Sequence, residues 1–268
     1  MTGSSRPGGY GRPGGRRGHG LFDLGGTTAF VTGTRAGIGA AIAVGLAQAG
    51  ADLILVGHRD DIGKTAEAVS DNGRRAETLV LDLSDTAAVR QRCNEVVSRR
   101  RVDIVVNNAG VITRAPALQT TQDEWSEVHR VNLDAVWGVC QTLGRPMVER
   151  GRGKIINVAS LLSFQGGVAV APYASSKHAV AGVTRALANE WGSHGVQVNA
   201  IAPGYIVTAN TAPLRSDPDR EASISARIPV GRWGNPEDLV GATVFLASAA
   251  SDYVNGHILV VDGGWQAR

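Results

Sequence analysis

The sequence predicts a doubly wound α/β fold, in which a parallel sheet of seven strands is flanked by helices within a single domain. Two observations carry this prediction: seven short apolar runs of strand length, and helical patterns between them. Nearly continuous apolar runs are typical of parallel strands covered on both faces, and their alternation with helices indicates a doubly wound sheet. The runs span residues 28–31, 53–56, 78–81, 102–106, 154–158, 196–201 and 258–261.

Helical patterns cover residues 38–49, 84–100 and 121–150 between these runs. Thr121 and Glu124 have the spacing of a capping box, which predicts a helix start at Thr121. Ser84 is expected to cap the helix that it opens, and Asn235 followed by Pro236 predicts the start of another helix.

Residues 1–20 differ in composition from the rest of the chain, with eight glycines, two prolines, four arginines and no acid. Such a segment buries too little apolar surface to offset the entropy of ordering, so residues 1–20 are predicted to be a disordered tail and residues 21–268 the domain. Without the four tail arginines the formal charge of +3 becomes −1. The folded body therefore gives no sign of a nucleic-acid partner, and RNA contact through the tail is the less favoured alternative.

The composition also indicates a compartment. Cys93 and Cys140 both lie in helical patterns, and two cysteines in 268 residues make no disulfide framework, so both are expected to be buried thiols. No apolar run reaches the roughly 18 residues of a membrane span, and the N-terminus lacks the apolar region of a signal peptide. A cytoplasmic protein without a membrane partner or a metal site is expected.

The turn after the first strand has the pattern G-x-x-x-G-x-G, and a helix follows it. Glycines in this context allow a tight turn and a close approach of the main chain to a pyrophosphate, and the helix N-terminus offers its free N–H groups. This pattern is typical of a Rossmann-type dinucleotide site. The candidate cofactor residues of the turn are Gly33, Arg35, Gly37, Ile38 and Gly39.

The end of the second strand bears on the choice of cofactor. An acid there would bind the ribose 2′-hydroxyl of NAD, but the expected position is occupied by Gly57. Arg35 and Arg59 would suit the 2′-phosphate of NADP, whereas Asp60 would suit a ribose. The cofactor is expected to be NAD, with NADP possible.

A second group of motifs carries chemistry. Asn108-Ala109-Gly110 follows the fourth predicted strand, and Ser160 follows the fifth. Tyr173 and Lys177 come next with a spacing of four, which places both side chains on one face of a helix. A phenol with a pKa near 10 is a poor base at neutral pH, and a neighbouring ammonium lowers that pKa.

These motifs together resemble the short-chain dehydrogenase/reductase family over residues 21–268. The resemblance implies Tyr173 as general acid/base, Ser160 as the group that polarises the carbonyl oxygen, and Lys177 as a ribose ligand that lowers the pKa of the tyrosine. It implies Asn132 as a fourth catalytic residue, which holds a water behind the lysine. It also implies a homotetramer built on the helices of residues 121–150 and 171–193, whose apolar side chains include Trp125, Trp137 and Trp191. The further cofactor contacts that it implies are His58, Arg59, Asp82, Leu83, Asn108, Ala109, Gly110, Tyr173, Lys177, Pro203, Gly204 and Thr208.

Within this family, the motifs of the second half are similar to those of members that act on sugar acids, 2-dehydro-3-deoxy-D-gluconate at C5 or 2-deoxy-D-gluconate at C3. Gluconate 5-dehydrogenase and 3-oxoacyl-carrier-protein reductase are the alternatives within the family, and a non-enzymatic dinucleotide sensor is the alternative outside it. The polar segment 209–226 is expected to form a substrate lid, and arginine is the natural receptor of a carboxylate. The candidate substrate residues are Arg114, Ser160, Gln165, Tyr205 and Arg215.

Overall fold

A computed structural model describes residues 20–268 and confirms the predicted parallel sheet of seven strands. The predicted tail lies outside the described residues except for Gly20. All neighbouring strands are parallel, in the order β3-β2-β1-β4-β5-β6-β7. The strands are β1 (Thr28–Thr32), β2 (Asp52–Gly57), β3 (Ala76–Val80), β4 (Ile104–Asn107), β5 (Gly153–Val158), β6 (Val196–Pro203) and β7 (Ile258–Val261).

Nine α-helices connect or follow these strands in the described part of the chain. They are α1 (Gly37–Gln48), α2 (Gly63–Asp71), α3 (Thr86–Arg99), α4 (Gln122–His129), α5 (Ala135–Glu149), α6 (Ala171–Trp191), α7 (Ala212–Arg215), α8 (Pro218–Ser225) and α9 (Val240–Ala247).

The core has two layers, one on each face of the sheet. Ala29 and Val31 of β1 face α1, α2 and α9, whereas Phe30 between them faces α3, α5 and α6. This alternation explains the nearly continuous apolar runs, because both faces of each strand are covered by helices. Cys93 and Cys140 are buried thiols in the second layer, as predicted.

The order of the strands positions the site. β1 lies between β2 and β4, so the chain leaves the carboxyl ends of β1 and β4 toward opposite faces of the sheet. A crevice opens where the connections diverge, and ligands of doubly wound folds bind there. The glycine-rich turn follows β1, Asn108 follows β4 and Ser160 follows β5 at this one edge.

The structure corrects two of the predicted helix boundaries. Ser84 does not cap α3; the Asp85 carboxylate accepts hydrogen bonds from the backbone N–H groups of Ala87 and Ala88, while the Ser84 hydroxyl donates to Asp82. A carboxylate with no proton of its own is the stronger acceptor for the free N–H groups of a helix start. The cap at Thr121, the capping box with Glu124 and the cap at Asn235 are as predicted.

The predicted helix 121–150 is divided into α4 and α5 by a π-helical turn over Arg130–Asp134. The extra residue of such a turn changes the direction of the side chains that follow, and π-turns are frequent at functional sites. Among residues 20–268, no helix combines the length and apolar character required to cross a bilayer.

The cap of α3 leads to a prediction. Asp85→Ala should lower the free energy of unfolding by about 1 kcal/mol, because two backbone N–H groups lose their acceptor. Ser84→Ala is the matched control and should cost less, since its hydroxyl bonds only the exposed Asp82. Chemical denaturation of both variants measures the difference, and a larger loss for Ser84→Ala would show that the cap is assigned to the wrong residue.

Candidate active site

The glycine-rich turn packs closely against the loop after β4. Gly33 and Gly37 have φ values of +72° and +62°, which side chains rarely adopt. A Cβ on Gly39 would lie 2.2 Å from the Gly33 carbonyl oxygen, and one on Gly33 would lie 2.9 Å from Ala109 Cα. Gly33 and Gly39 therefore have no room for side chains, and the main chain of the turn lies at the start of α1.

A polar clasp joins the turn to the neighbouring strand. Thr32 Oγ1 accepts hydrogen bonds from the backbone N–H groups of Asn108 and Ala109, both at 3.0 Å. Asn108 Nδ2 donates to the Thr32 carbonyl at 2.9 Å. Thr32 was not predicted from the sequence, although its position directly before the first glycine of the motif is a signal for it.

Charged side chains lie around the end of β2, as predicted. Their ion-pair partners could not be predicted from the sequence. Arg35 forms an ion pair with Asp61 at 3.2 Å, and His58 Nδ1 lies 3.8 Å from Asp82 Oδ1. Hydrogen bonds from Ser84 lower the pKa of Asp82. Arg59 is exposed, and in the part of the chain that the structure describes its side chain is joined to no other predicted site residue.

The glycine at the end of β2 has a local steric reason. A Cβ on Gly57 would lie 3.1 Å from Ile62 Cγ2, because the chain folds back over the strand end before α2 begins. A side chain at this position would require Ile62 to shift by a few tenths of an ångström, so the local packing disfavours an acid on β2 itself.

The remaining cofactor candidates line the same edge. Ile38 and Leu83 are half-buried and pack against the two core layers. Pro203 ends β6, and the Gly204 N–H donates to the Val261 carbonyl at 2.9 Å. The methyl group of Thr208 lies 3.6 Å from the position that a Cβ on Gly37 would take, so the loop after β6 meets the glycine-rich turn.

Helix α6 brings Tyr173 and Lys177 together. The Lys177 Nζ atom lies 5.6 Å from the centre of the Tyr173 ring, and only 4% of the residue is exposed. Nζ donates to the Val158 carbonyl at the end of β5 at 2.7 Å. Burial lowers the pKa of Lys177 to about 8, so charged and neutral forms are both accessible near neutral pH.

The Tyr173 hydroxyl faces Ser160. Burial raises the pKa of Tyr173, while hydrogen bonding to Ser160 and the positive charge of Arg114 act in the opposite direction. Ser160 Oγ accepts a hydrogen bond from the Leu162 N–H at 3.1 Å, which leaves its own proton free to be donated. The Ser160 hydroxyl therefore has a proton available for donation beside the phenol.

Asn132 lies in the π-turn, fully buried behind this pair. Its Oδ1 atom accepts from the Val111 N–H at 2.8 Å, and its Nδ2 atom donates to the Val111 carbonyl and to Ser176 Oγ at 2.9 and 3.1 Å. Ser176 in turn donates to the Tyr173 carbonyl at 2.8 Å. Gly110 lies against both Asn132 and Lys177. Ser176 was missed in the sequence because a serine within a helix carries no distinctive pattern.

Two of the candidate substrate residues hold the segment after β6. Arg114 Nη2 donates to the Asn210 carbonyl at 2.9 Å, and Arg215 Nη2 donates to the Thr208 carbonyl at 3.3 Å. Within residues 20–268, Arg215 Nε is buried without a hydrogen-bond partner. The segment 209–226 contains α7 and α8; Arg215 ends α7, and Arg114 bonds this segment from the loop after β4.

Aromatic side chains form the wall below the lid. The Tyr205 ring contacts Trp233 and Trp265, with ring centres 5.3 and 4.6 Å apart. Both tryptophans are buried with Ile224 of α8, so they pack the lid onto the sheet. Gln165 is half-buried in the turn after β5, and within the described residues its side chain is joined to none of the other candidates.

Comparisons with known proteins agree with this geometry. A family model described as "Enoyl-(Acyl carrier protein) reductase" matches residues 33–266. The 2-dehydro-3-deoxy-D-gluconate 5-dehydrogenase of Bacillus subtilis (strain 168) is 52% identical over 93% of this chain and 98% of its own length. The enzyme of the same name from Escherichia coli (strain K12) is 47% identical over 92% of this chain and 98% of its own length.

A solved structure extends the comparison. The gluconate 5-dehydrogenase of Burkholderia cenocepacia J2315, in complex with NADP and tartrate, is 41% identical with a TM-score of 0.89. The match covers 92% of this chain and 98% of that one. Because the family model spans most of the chain and the curated relatives match along nearly their whole length, the chain belongs to the short-chain dehydrogenase/reductase family.

Proposed function

We propose that this protein is an NAD(P)-dependent oxidoreductase that interconverts a secondary alcohol and a ketone on a sugar acid. The proposed substrate is 2-dehydro-3-deoxy-D-gluconate, reacting at C5, or 2-deoxy-D-gluconate, reacting at C3. The observation that carries the proposal is the buried Lys177 ammonium beside Tyr173, with the Ser160 hydroxyl facing the phenol. The substrate class is supported by the names of the relatives that are 47–52% identical.

The residues at the strand ends fit a dinucleotide. Neighbouring atoms occupy the positions that Cβ atoms would take at Gly33 and Gly39, so no side chain covers the main chain there. The backbone N–H groups at the start of α1 would therefore bind a pyrophosphate. Asp82 and Leu83 would meet the adenine, Asn108 to Gly110 the ribose side, and Pro203, Gly204 and Thr208 the nicotinamide end. When bound, the nicotinamide accepts or donates the hydride.

The chain's own residues would handle the proton. Tyr173 Oη would take the proton of the substrate alcohol during oxidation and return it during reduction. The nearby positive charge of Lys177 favours the phenolate, and the Ser160 hydroxyl would donate to the substrate oxygen as negative charge develops on it. Asn132 holds the loop after β4 and helix α6 in register, which positions Tyr173 through Ser176.

The choice between NAD and NADP depends on groups beside β2. Arg35 is paired with Asp61, and the exposed Arg59 is free to turn toward a 2′-phosphate. We propose that both cofactors are used with weak discrimination, because no acid follows β2 directly and the nearest basic group is partly neutralised.

We also propose a homotetramer. Trp125 of α4 and Trp137 of α5 remain 39% and 38% exposed, which is more apolar surface than a solvated helix requires. Trp191 contributes less than the sequence suggested, since its ring lies over Gly144 of α5 within the subunit.

The function is tested by steady-state kinetics with a panel of substrates. Hexonates and their keto forms should be turned over with NAD or NADP, whereas neutral polyols of the same length should react at least about tenfold more slowly. Absorbance of the reduced nicotinamide at each substrate concentration gives kcat/KM. Turnover of 3-oxoacyl thioesters but not of hexonates would favour a carrier-protein reductase, and no turnover at all would favour a dinucleotide sensor.

Tyr173→Phe should lower kcat by at least about 10²-fold while the dissociation constant of the dinucleotide stays nearly unchanged, because the variant loses the proton relay and little packing. Tyr253→Phe is the matched control, since Tyr253 is fully exposed and should behave as wild type. Stopped-flow rates and fluorescence titration measure the two effects. Full activity in Tyr173→Phe would remove this tyrosine from the mechanism.

Arg114→Leu and Arg215→Leu should each raise KM for a hexonate more than for a neutral polyol, because a guanidinium fork binds carboxylates in a bidentate manner. Arg92→Leu, on the outer surface of α3, is the matched control and should change neither value. Wild-type discrimination between acid and polyol in both variants would place the carboxylate elsewhere.

A further inference from the structure

Seven arginines lie at the edge of the sheet opposite the active site. The amino ends of parallel strands share one edge, and in this protein β3, β4 and β5 are each preceded by arginines. The carboxyl ends, with the glycine-rich turn and Ser160, form the other edge. The seven are Arg74 and Arg75 before β3, Arg99, Arg100 and Arg101 before β4, and Arg150 and Arg152 before β5.

Four of these arginines line one groove between the end of α3 and the end of α5. The groove has a volume of about 360 Å³, and Arg99, Arg100, Arg101 and Arg150 surround it. Its apolar lining consists of Val97, Val102 and Pro146. This volume is at the lower end of the range for small-molecule sites.

The nearby carboxylates do not balance the charge of the groove. Glu77 is shared by Arg99 and Arg100, and Asp103 pairs with Arg101. Among the described residues, Arg150 has no carboxylate within ion-pair distance. Glu95 also attracts Arg99 from one turn earlier on α3. Three acids therefore face four guanidinium groups, and Glu77 cannot neutralise both of its partners.

Arg150 has an unused donor. One of its terminal nitrogens donates to the Val102 carbonyl, which fixes the guanidinium against the chain before β4. In the described part of the chain, its Nε atom is buried without a hydrogen-bond partner. The groove cannot reach this enclosed atom, so a bound anion would contact the terminal nitrogens of the guanidinium group.

We infer that this groove binds a small anion with at least two negative charges, of the phosphate class. Guanidinium forks match phosphate oxygens in a bidentate manner, and the apolar lining can cover the carbon part of an organic phosphate. The groove is far smaller than a duplex, so its size favours a small anion.

The groove is separate from the active site. Strand β5 has six residues, so its ends lie roughly 17–20 Å apart. Arg152 precedes one end and Ser160 follows the other. A change in the groove should therefore leave catalysis intact, and turnover serves as the control for correct folding.

The test is isothermal titration calorimetry of the full chain with pyrophosphate, at matched ionic strength and with the cofactor site filled by NADP. Arg99→Glu should weaken pyrophosphate binding at least about tenfold, because it removes a charge-assisted contact and adds a repulsive charge. Arg92→Glu is the matched control: it makes the same charge change on the same helix, about 10 Å away, outside the groove. Its affinity should stay within about twofold of wild type.

A second variant keeps the inference testable if Arg99→Glu does not fold. Arg150→Lys preserves the charge but replaces the guanidinium fork by a single ammonium, and it should weaken binding at least about threefold. Equal affinity in wild type, Arg99→Glu and Arg150→Lys would overturn the site, as would equal losses in Arg99→Glu and Arg92→Glu. Displacement of pyrophosphate by a short DNA duplex at lower concentration would instead assign the groove to nucleic acid.

Discussion

The burial of one ammonium group governs the arrangement of the active site. Lys177 is almost fully enclosed, and a buried charge is costly unless it is bonded. The Val158 carbonyl at the end of β5 accepts one of its hydrogens. This contact fixes α6 against the carboxyl end of β5, and the Ser163 hydroxyl adds a second tie by donating to the Lys177 carbonyl. Tyr173, one turn earlier on α6, is placed by the same contacts.

The strand order supplies the second constraint. Strands β2 and β3 are added on one side of β1, whereas β4 to β7 are added on the other side. Thr32, at the end of β1, accepts hydrogen bonds from the N–H groups of Asn108 and Ala109 after β4 and so joins the two strand ends. This clasp joins the end of β1, where the glycine-rich turn begins, to the loop after β4. Asn132 then connects the loop after β4 to α6, because its side chain bonds both Val111 and Ser176. The ends of β1 and β4 and the start of α6 are thus joined by hydrogen bonds.

The two edges of the sheet differ in their electrostatic design. At the carboxyl edge, burial raises the pKa of Tyr173, and Ser160 and Arg114 act in the opposite direction. At the amino edge, within the described residues, arginines outnumber the carboxylates that pair with them. A parallel sheet allows this separation because its strand ends all point the same way, so each edge collects its own set of loops.

The sequence by itself determined the fold class and the seven strands, and it correctly placed Tyr173 and Lys177 side by side on one helix. A short apolar run indicates a strand that is buried on both faces, and a Tyr–Lys spacing of four indicates that both side chains lie on one helical face. Both patterns are local in the sequence, so they could be recognised without the structure. Boundaries such as the cap at Asp85 and the π-turn at Asn132 depend on competition between neighbouring groups, which a pattern does not resolve. Only the tertiary structure decided the partners of Arg35, Arg114 and Arg215, the clasp at Thr32 and the groove at Arg150. These contacts join residues far apart in the chain, and their energies depend on distances and burial that exist only after the strands have assembled.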